Sequence, residues 1–120
     1  MSKVLIIEDD SQLTNMYEKK LSGEGFTVLI TSEGKKGITL AKREKPDIIL
    51  LDIMLPGGMN GFDVLKELRL DEKFKSTPIL MFTNLDSEKE TATDFGADGY
   101  IIKAETTPTA IVERIKKLVG

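Results

Sequence analysis

The hydrophobic residues of this chain fall into short continuous runs, separated by longer stretches in which they recur every three or four positions. Val4-Leu5-Ile6-Ile7, Phe26 to Ile30, Ile48-Ile49-Leu50-Leu51, Ile79-Leu80-Met81-Phe82 and Tyr100-Ile101-Ile102 have the length of strands. Between and after them, Leu13, Met16, Tyr17 and Leu21, then Ile38 and Ala41, then Val64, Leu65 and Leu68, and last Ile111, Ile115, Leu118 and Val119 stand at helical spacing. Gly23 and Gly25 close the first helix, and Ser32 is placed to cap a second that runs to about Glu44 and stops before Pro46. Pro56-Gly57-Gly58-Met59-Asn60-Gly61 is a loop by composition. Ser87 and Glu90 have capping-box spacing for a fourth helix that Gly96 ends, and Thr107-Pro108 supplies a cap and a first-turn proline for the fifth. The fourth helix is the least amphipathic and is the expected mobile element. The pattern predicts a (βα)₅ α/β fold. Strands apolar on both faces and separated by helices require a parallel sheet covered on two sides.

Composition narrows the chemistry. The 120 residues match one ordinary domain, 1–120, with no repeat or low-complexity segment. Seventeen basic against twenty acidic residues give a formal charge of −3, which argues against direct nucleic-acid binding. There is no His and no Cys, which excludes cysteine nucleophiles, Ser-His-Asp triads, imidazole bases and zinc-thiolate sites. Metal binding then falls to oxygen ligands, which suit Mg²⁺, Mn²⁺ or Ca²⁺. The absence of disulfides, of an N-terminal signal pattern and of a long apolar span points to the cytoplasm, away from membranes.

In an open α/β sheet, ligands bind beyond the carboxyl ends of the strands. Here the first strand leads into Glu8-Asp9-Asp10, the third into Asp52, the fourth into Thr83 and the fifth into Lys103. Carboxylates gathered in one crevice repel each other, and a divalent cation resolves the repulsion. Such a set suits phosphoryl transfer to Asp52, with Mg²⁺ on the carboxylates, Lys103 neutralising a phosphoryl oxygen and Thr83 donating to another. Asp10 reads as a helix cap or a solvated charge. Lys35-Lys36 is no phosphate loop, because Gly-x-x-x-x-Gly-Lys-Ser/Thr is absent.

These residues, in this order, resemble the receiver domain of bacterial two-component response regulators, of the chemotaxis-regulator kind. The resemblance spans the chain and rests on Val4 to Asp10, Asp47 to Pro56, Pro78 to Thr83 and Gly99 to Lys103. It implies a flavodoxin-like doubly wound fold with a five-stranded parallel sheet in order 2-1-3-4-5. It implies Asp52 as phosphoacceptor, Glu8 and Asp9 as the acidic pair that binds Mg²⁺ (or Mn²⁺) together with Asp52, and the backbone carbonyl of Met54 as a further metal ligand. Thr83 matches the switch hydroxyl, Lys103 the site lysine and Tyr100 the aromatic that changes rotamer on activation. The implied phosphodonor is a histidine kinase or phosphotransfer protein. The implied output partner docks on the face of the fourth helix, fifth strand and fifth helix, by a monomer or a phosphorylation-dependent dimer. The only catalysis implied is of the domain's own phosphorylation and dephosphorylation.

Two departures stand out. The family usually has Lys-Pro with a cis bond after the fifth strand, whereas Ala104 follows Lys103 here, which leaves that bond cis or trans. The 56–61 loop is one residue longer than the usual Pro-x-Met-Asp-Gly form. Met54 and Leu85 flank the expected route of the hydrolytic water and are apolar, which predicts slow self-dephosphorylation.

Rival readings lack their requirements. A haloacid-dehalogenase-type phosphatase needs an acid two residues after the nucleophile, and Met54 stands there. An FMN carrier needs a hydroxyl- and glycine-rich loop after the first strand, and a dinucleotide site needs Gly-x-Gly-x-x-Gly there. The alternative left open is a pseudo-receiver that is not phosphorylated and serves as a protein-interaction module. The chain is either a free-standing regulator or a receiver cut from a longer protein.

Overall fold

Successive residues of a strand point to opposite faces, so a strand apolar at every position feeds two cores at once. The computed structural model, which describes residues 2–119, is built this way. Met1 and Gly120, the ends of the expected 1–120 unit, lie outside the described residues. Strands β1 (Lys3–Ile7), β2 (Thr27–Thr31), β3 (Ile48–Leu51), β4 (Ile79–Thr83) and β5 (Gly99–Ile102) alternate with helices α1 (Ser11–Gly23), α2 (Gly34–Glu44), α3 (Gly61–Leu70), α4 (Lys89–Asp94) and α5 (Pro108–Val119). The five strands are parallel, in the order β2-β1-β3-β4-β5. This is the doubly wound, flavodoxin-like arrangement anticipated from the sequence.

On one face Leu5, Ile7, Ile49, Leu51, Ile79 and Met81 meet Ile38 and Ala41 of α2, Val64, Leu65 and Leu68 of α3 and Ala92 of α4. On the other, Val4, Ile6, Ile48, Leu50, Leu80 and Phe82 meet Tyr17 and Leu21 of α1 and Ile111, Val112 and Ile115 of α5. Tyr17 stands edge-on to Phe82 with ring centroids 5.5 Å apart, which ties α1 to strand β4. Two members of the helical stripes are not core residues: Met16 is 41% exposed and Leu118 is 42% exposed. In α5 the buried residues are Ile111, Val112 and Ile115, so Val112, outside the expected stripe, is a core residue and Leu118 is not.

The helix starts show where local signals yielded to packing. Asp10 caps α1, its carboxylate accepting from Gln12 N at 3.1 Å and Leu13 N at 3.2 Å. Asn60 and Asp63 form a reciprocal capping box for α3, and Thr107 accepts from Ala110 N at 3.1 Å at the start of α5. The Ser32 cap does not form. Glu33 precedes α2 without a side-chain capping bond, and the helix starts at Gly34, whose backbone packs so closely on α3 that a Cβ would lie 2.8 Å from Val64. The Ser87–Glu90 box is not made either: α4 begins at Lys89 after an uncapped Glu88 and is six residues long. In the 56–61 loop, Gly57 (φ +89°) and Gly58 (φ +84°) are consecutive left-handed residues, a conformation that glycine adopts without a steric cost.

Candidate functional site

The ladder between β1 and β3 pairs Ile7 with Leu51 and carries on for one residue, as Asp52 N donates to the Ile7 carbonyl at 3.0 Å, while on the other side of β1 Glu8 N donates to Thr31 O of β2 at 3.0 Å. Glu8 and Asp52 therefore leave the sheet side by side at its carboxyl edge. Both are buried, 3% and 6% exposed. Asp52 is further fixed from below by α3, where Gly61 N donates to Ile53 O at 2.8 Å. A Cβ on Gly61 would collide with the Asp52 carbonyl, so the close approach requires glycine.

One ammonium serves both acids. Lys103 Nζ donates to Asp52 Oδ2 at 2.9 Å and is ion-paired with Glu8 Oε1. Asp52 Oδ1 accepts from Ile53 N at 2.7 Å, and Glu8 Oε2 from Asp10 N at 3.0 Å. Burial pushes the Glu8 carboxyl above its ordinary value and the Asp52 charge adds to the rise, against the pull of Lys103 and the Asp10 amide. Burial opposes the Lys103 ammonium, but its bonds to Glu8 and Asp52 outweigh that and hold it above the ordinary lysine value. Asp9 is exposed, and one carboxylate oxygen from each of Glu8, Asp9 and Asp52 lies within 4.8 Å of the others.

This set fits a hard divalent cation. Three carboxylates face one ammonium, so negative charge is in excess. Glu8 Oε1 has the shared Lys103 ammonium as its partner, and every ligand atom is oxygen.

Thr83, the last residue of β4, is buried, and its hydroxyl accepts from Leu85 N at 3.3 Å. The half-buried Tyr100 donates its hydroxyl to the Leu85 carbonyl, and burial raises its phenol above the ordinary value. Met54 is 66% exposed. Lys103 does not end the strand; it opens a 3₁₀ turn, Lys103–Glu105, and the following peptide bond is trans like the others described. Sequence reasoning passed over Asn84, whose side-chain oxygen accepts from Ala104 N at 3.0 Å. The available signal was an amide acceptor next to Thr83, facing a loop that has an N–H where the resembled family has proline.

A doubly wound sheet with an acidic cluster at its carboxyl edge, and a lysine and a strand-end hydroxyl beside it, defines a flavodoxin-like α/β protein. Comparison with known proteins narrows the class. The profile of the response regulator receiver domain matches residues 4–116, and the chain belongs to that family. It is 36% identical over 116 residues to the DNA-binding response regulator MtrA of Mycolicibacterium paratuberculosis, covering 95% of this chain and 49% of that protein. It is 34% identical over 118 residues to the probable transcriptional regulator ycf27 of Porphyridium aerugineum, covering 97% and 47%. The chain thus spans about half the length of these curated relatives. Among solved structures, the BeF₃-activated N-terminal receiver domain of Klebsiella pneumoniae RstA superposes with a TM-score of 0.89 at 31% identity, covering 98% of each chain. Chemotaxis protein CheY4 of Vibrio cholerae gives 0.90 at 28%, also covering 98% of each. The chain is a receiver domain of the response-regulator family, a signalling unit. Receiver domains bind Mg²⁺ in an acidic pocket, and Glu8, Asp9 and Asp52 form such a cluster here. Among the described residues no helix is long and apolar enough to cross a membrane.

Proposed function

We propose that this chain, as one receiver unit in the cytoplasm, accepts a phosphoryl group on Asp52 from the phosphohistidine of a histidine kinase or phosphotransfer protein. One observation carries the reading: a buried Asp52 carboxylate shares the Lys103 ammonium with Glu8, within 4.8 Å reach of the Asp9 and Glu8 oxygens. Glu8, Asp9 and Asp52 would hold Mg²⁺, and the resemblance adds the Met54 carbonyl. When bound, the ion neutralises charge on the phosphoryl oxygens.

An Asp52 oxygen attacks phosphorus in line, the P–O bond forms as the donor's P–N bond breaks, and the imidazole leaves with a proton. Lys103 moves from the Glu8–Asp52 pair toward a phosphoryl oxygen. The Thr83 hydroxyl, which accepts from Leu85 N and keeps its own proton to give, donates to another. The new charge, about −1.5 to −2 at neutral pH, draws Thr83 and Lys103 inward. That motion releases the Tyr100–Leu85 bond, lets Tyr100 turn inward, and shifts the α4-β5-α5 face that meets an output partner.

The test is mass spectrometry after incubation with acetyl phosphate and Mg²⁺. A mass gain on Asp52, absent without Mg²⁺ and in Asp52→Asn, supports the reading. No gain would leave the unphosphorylated interaction module as the better account.

A further inference from the structure

We infer that Asn84 is a positioning residue for Lys103, a role that rests on Asp52 being the phosphoacceptor. The last ladder pair between β4 and β5 is Thr83 with Ile102. Beyond it the chain turns into the short 3₁₀ segment Lys103–Glu105, which lacks a side-chain cap. The first amides of such a turn have no carbonyl partner within it. The Ala104 amide finds one on the neighbouring loop: it donates to Asn84 Oδ1 at 3.0 Å, across twenty residues. Lys103 is therefore held on both sides, by Ile102 in the ladder and by Ala104 on Asn84. Its side chain leaves a fixed backbone to reach Glu8 and Asp52.

The same bond joins the two parts of the site that answer to the phosphoryl group. Asn84 lies between Thr83, whose hydroxyl accepts from Leu85 N, and Leu85, whose carbonyl accepts from Tyr100. A displacement of residues 83–85 is thus passed to 103–105 through a side-chain amide. Without that link the lysine's loop moves independently, and the ordering of a long, rotamer-rich side chain falls to the transfer step itself.

The experiment compares wild type, Asn84→Ala, Ala104→Pro and the double variant. Proline removes the donor, so Asn84 has nothing left to hold. Asn84→Ala should accelerate exchange of the Ala104 amide proton in NMR and slow phosphorylation by acetyl phosphate about two- to tenfold, the range set by one net hydrogen bond. Mg²⁺ affinity should stay within about twofold, since Glu8, Asp9 and Asp52 are untouched. In the Ala104→Pro background, Asn84→Ala should slow phosphorylation no further. Three results each overturn the assignment: unchanged Ala104 exchange, equal slowing in both backgrounds, or a fall in Mg²⁺ affinity that parallels the rate. A wild-type chain that takes no phosphoryl group overturns the Asp52 reading instead, and amide exchange then still tests the link.

Discussion

At the scale of single residues, the site is an electrostatic compromise in which Lys103 is the member that matters most for folding. Its side chain is 16% exposed and it compensates two carboxylates that are themselves buried. Lys103→Met leaves both unpaired and should destabilise the Mg²⁺-free domain by about 3–5 kcal/mol in urea unfolding. Asp52→Asn removes repulsion and leaves Lys103 to Glu8, so it should be neutral or stabilising. A Lys103→Met cost under about 1 kcal/mol would mean that water screens the acids despite their burial. Phosphoryl lifetime belongs to this scale as well. Met54 and Leu85 have no polar side-chain atom to orient a water, so replacing them with Asn and Glu should shorten the lifetime by about tenfold or more, while an unchanged decay would sink the idea. The carboxylates and the lysine were legible because each follows an apolar run that ends at the sheet edge. Asn84 was not, because a lone loop asparagine carries no pattern and its partner lies twenty residues further on.

At the scale of elements, strands were legible and helix starts only in part: Asp10 and Thr107 cap α1 and α5 as the pattern suggested, whereas Ser32 and Ser87 cap nothing. A strand buried on both faces is uniformly apolar, so its extent is written directly in the sequence, and the boundaries moved by only a residue or so. A helix start is decided by whichever contact is strongest. α2 starts at Gly34, packed closely on Val64, without a bond from Ser32, and the shortness of α4 left Ser87 outside it. Six residues without a capping bond, contributing Ala92 as their buried side chain, make α4 the weakest helix. Its amides should exchange faster than those of α3, which has a capping box and three buried aliphatic side chains, Val64, Leu65 and Leu68. Equal protection of the two helices would remove α4 as the mobile element. The α1–β4 contact predicts a pH effect. Burial raises the Tyr17 phenol above 10.0, so its stabilising contribution is intact below that value and is lost as pH climbs through the raised one. Tyr17→Phe should flatten the alkaline fall of Tm relative to wild type, whereas parallel curves would mean that the phenol titrates alike in the folded and unfolded chains.

At the scale of the whole molecule, folding and signalling draw on the same charges. The fold buries Glu8 and Asp52 beside each other with one lysine between them, and the excess negative charge is a standing cost in the absence of a cation. A ligand that binds the native state and not the unfolded chain stabilises it by RT ln(1 + [L]/Kd), about 2.7 kcal/mol at a hundredfold excess over Kd. Mg²⁺ should therefore raise the melting temperature in a saturable way, which added monovalent salt of equal ionic strength should not reproduce. Asp9 separates this from general screening. It is exposed, so Asp9→Asn should change Mg²⁺-free stability by less than about 0.5 kcal/mol, the usual scale for a surface substitution. The same substitution removes one of three carboxylates clustered within 4.8 Å and should abolish most of the Mg²⁺-dependent rise. If Asp9→Asn keeps the full rise, the cation is bound elsewhere, and the excess charge at the sheet edge is balanced by solvent instead of by a resident ion.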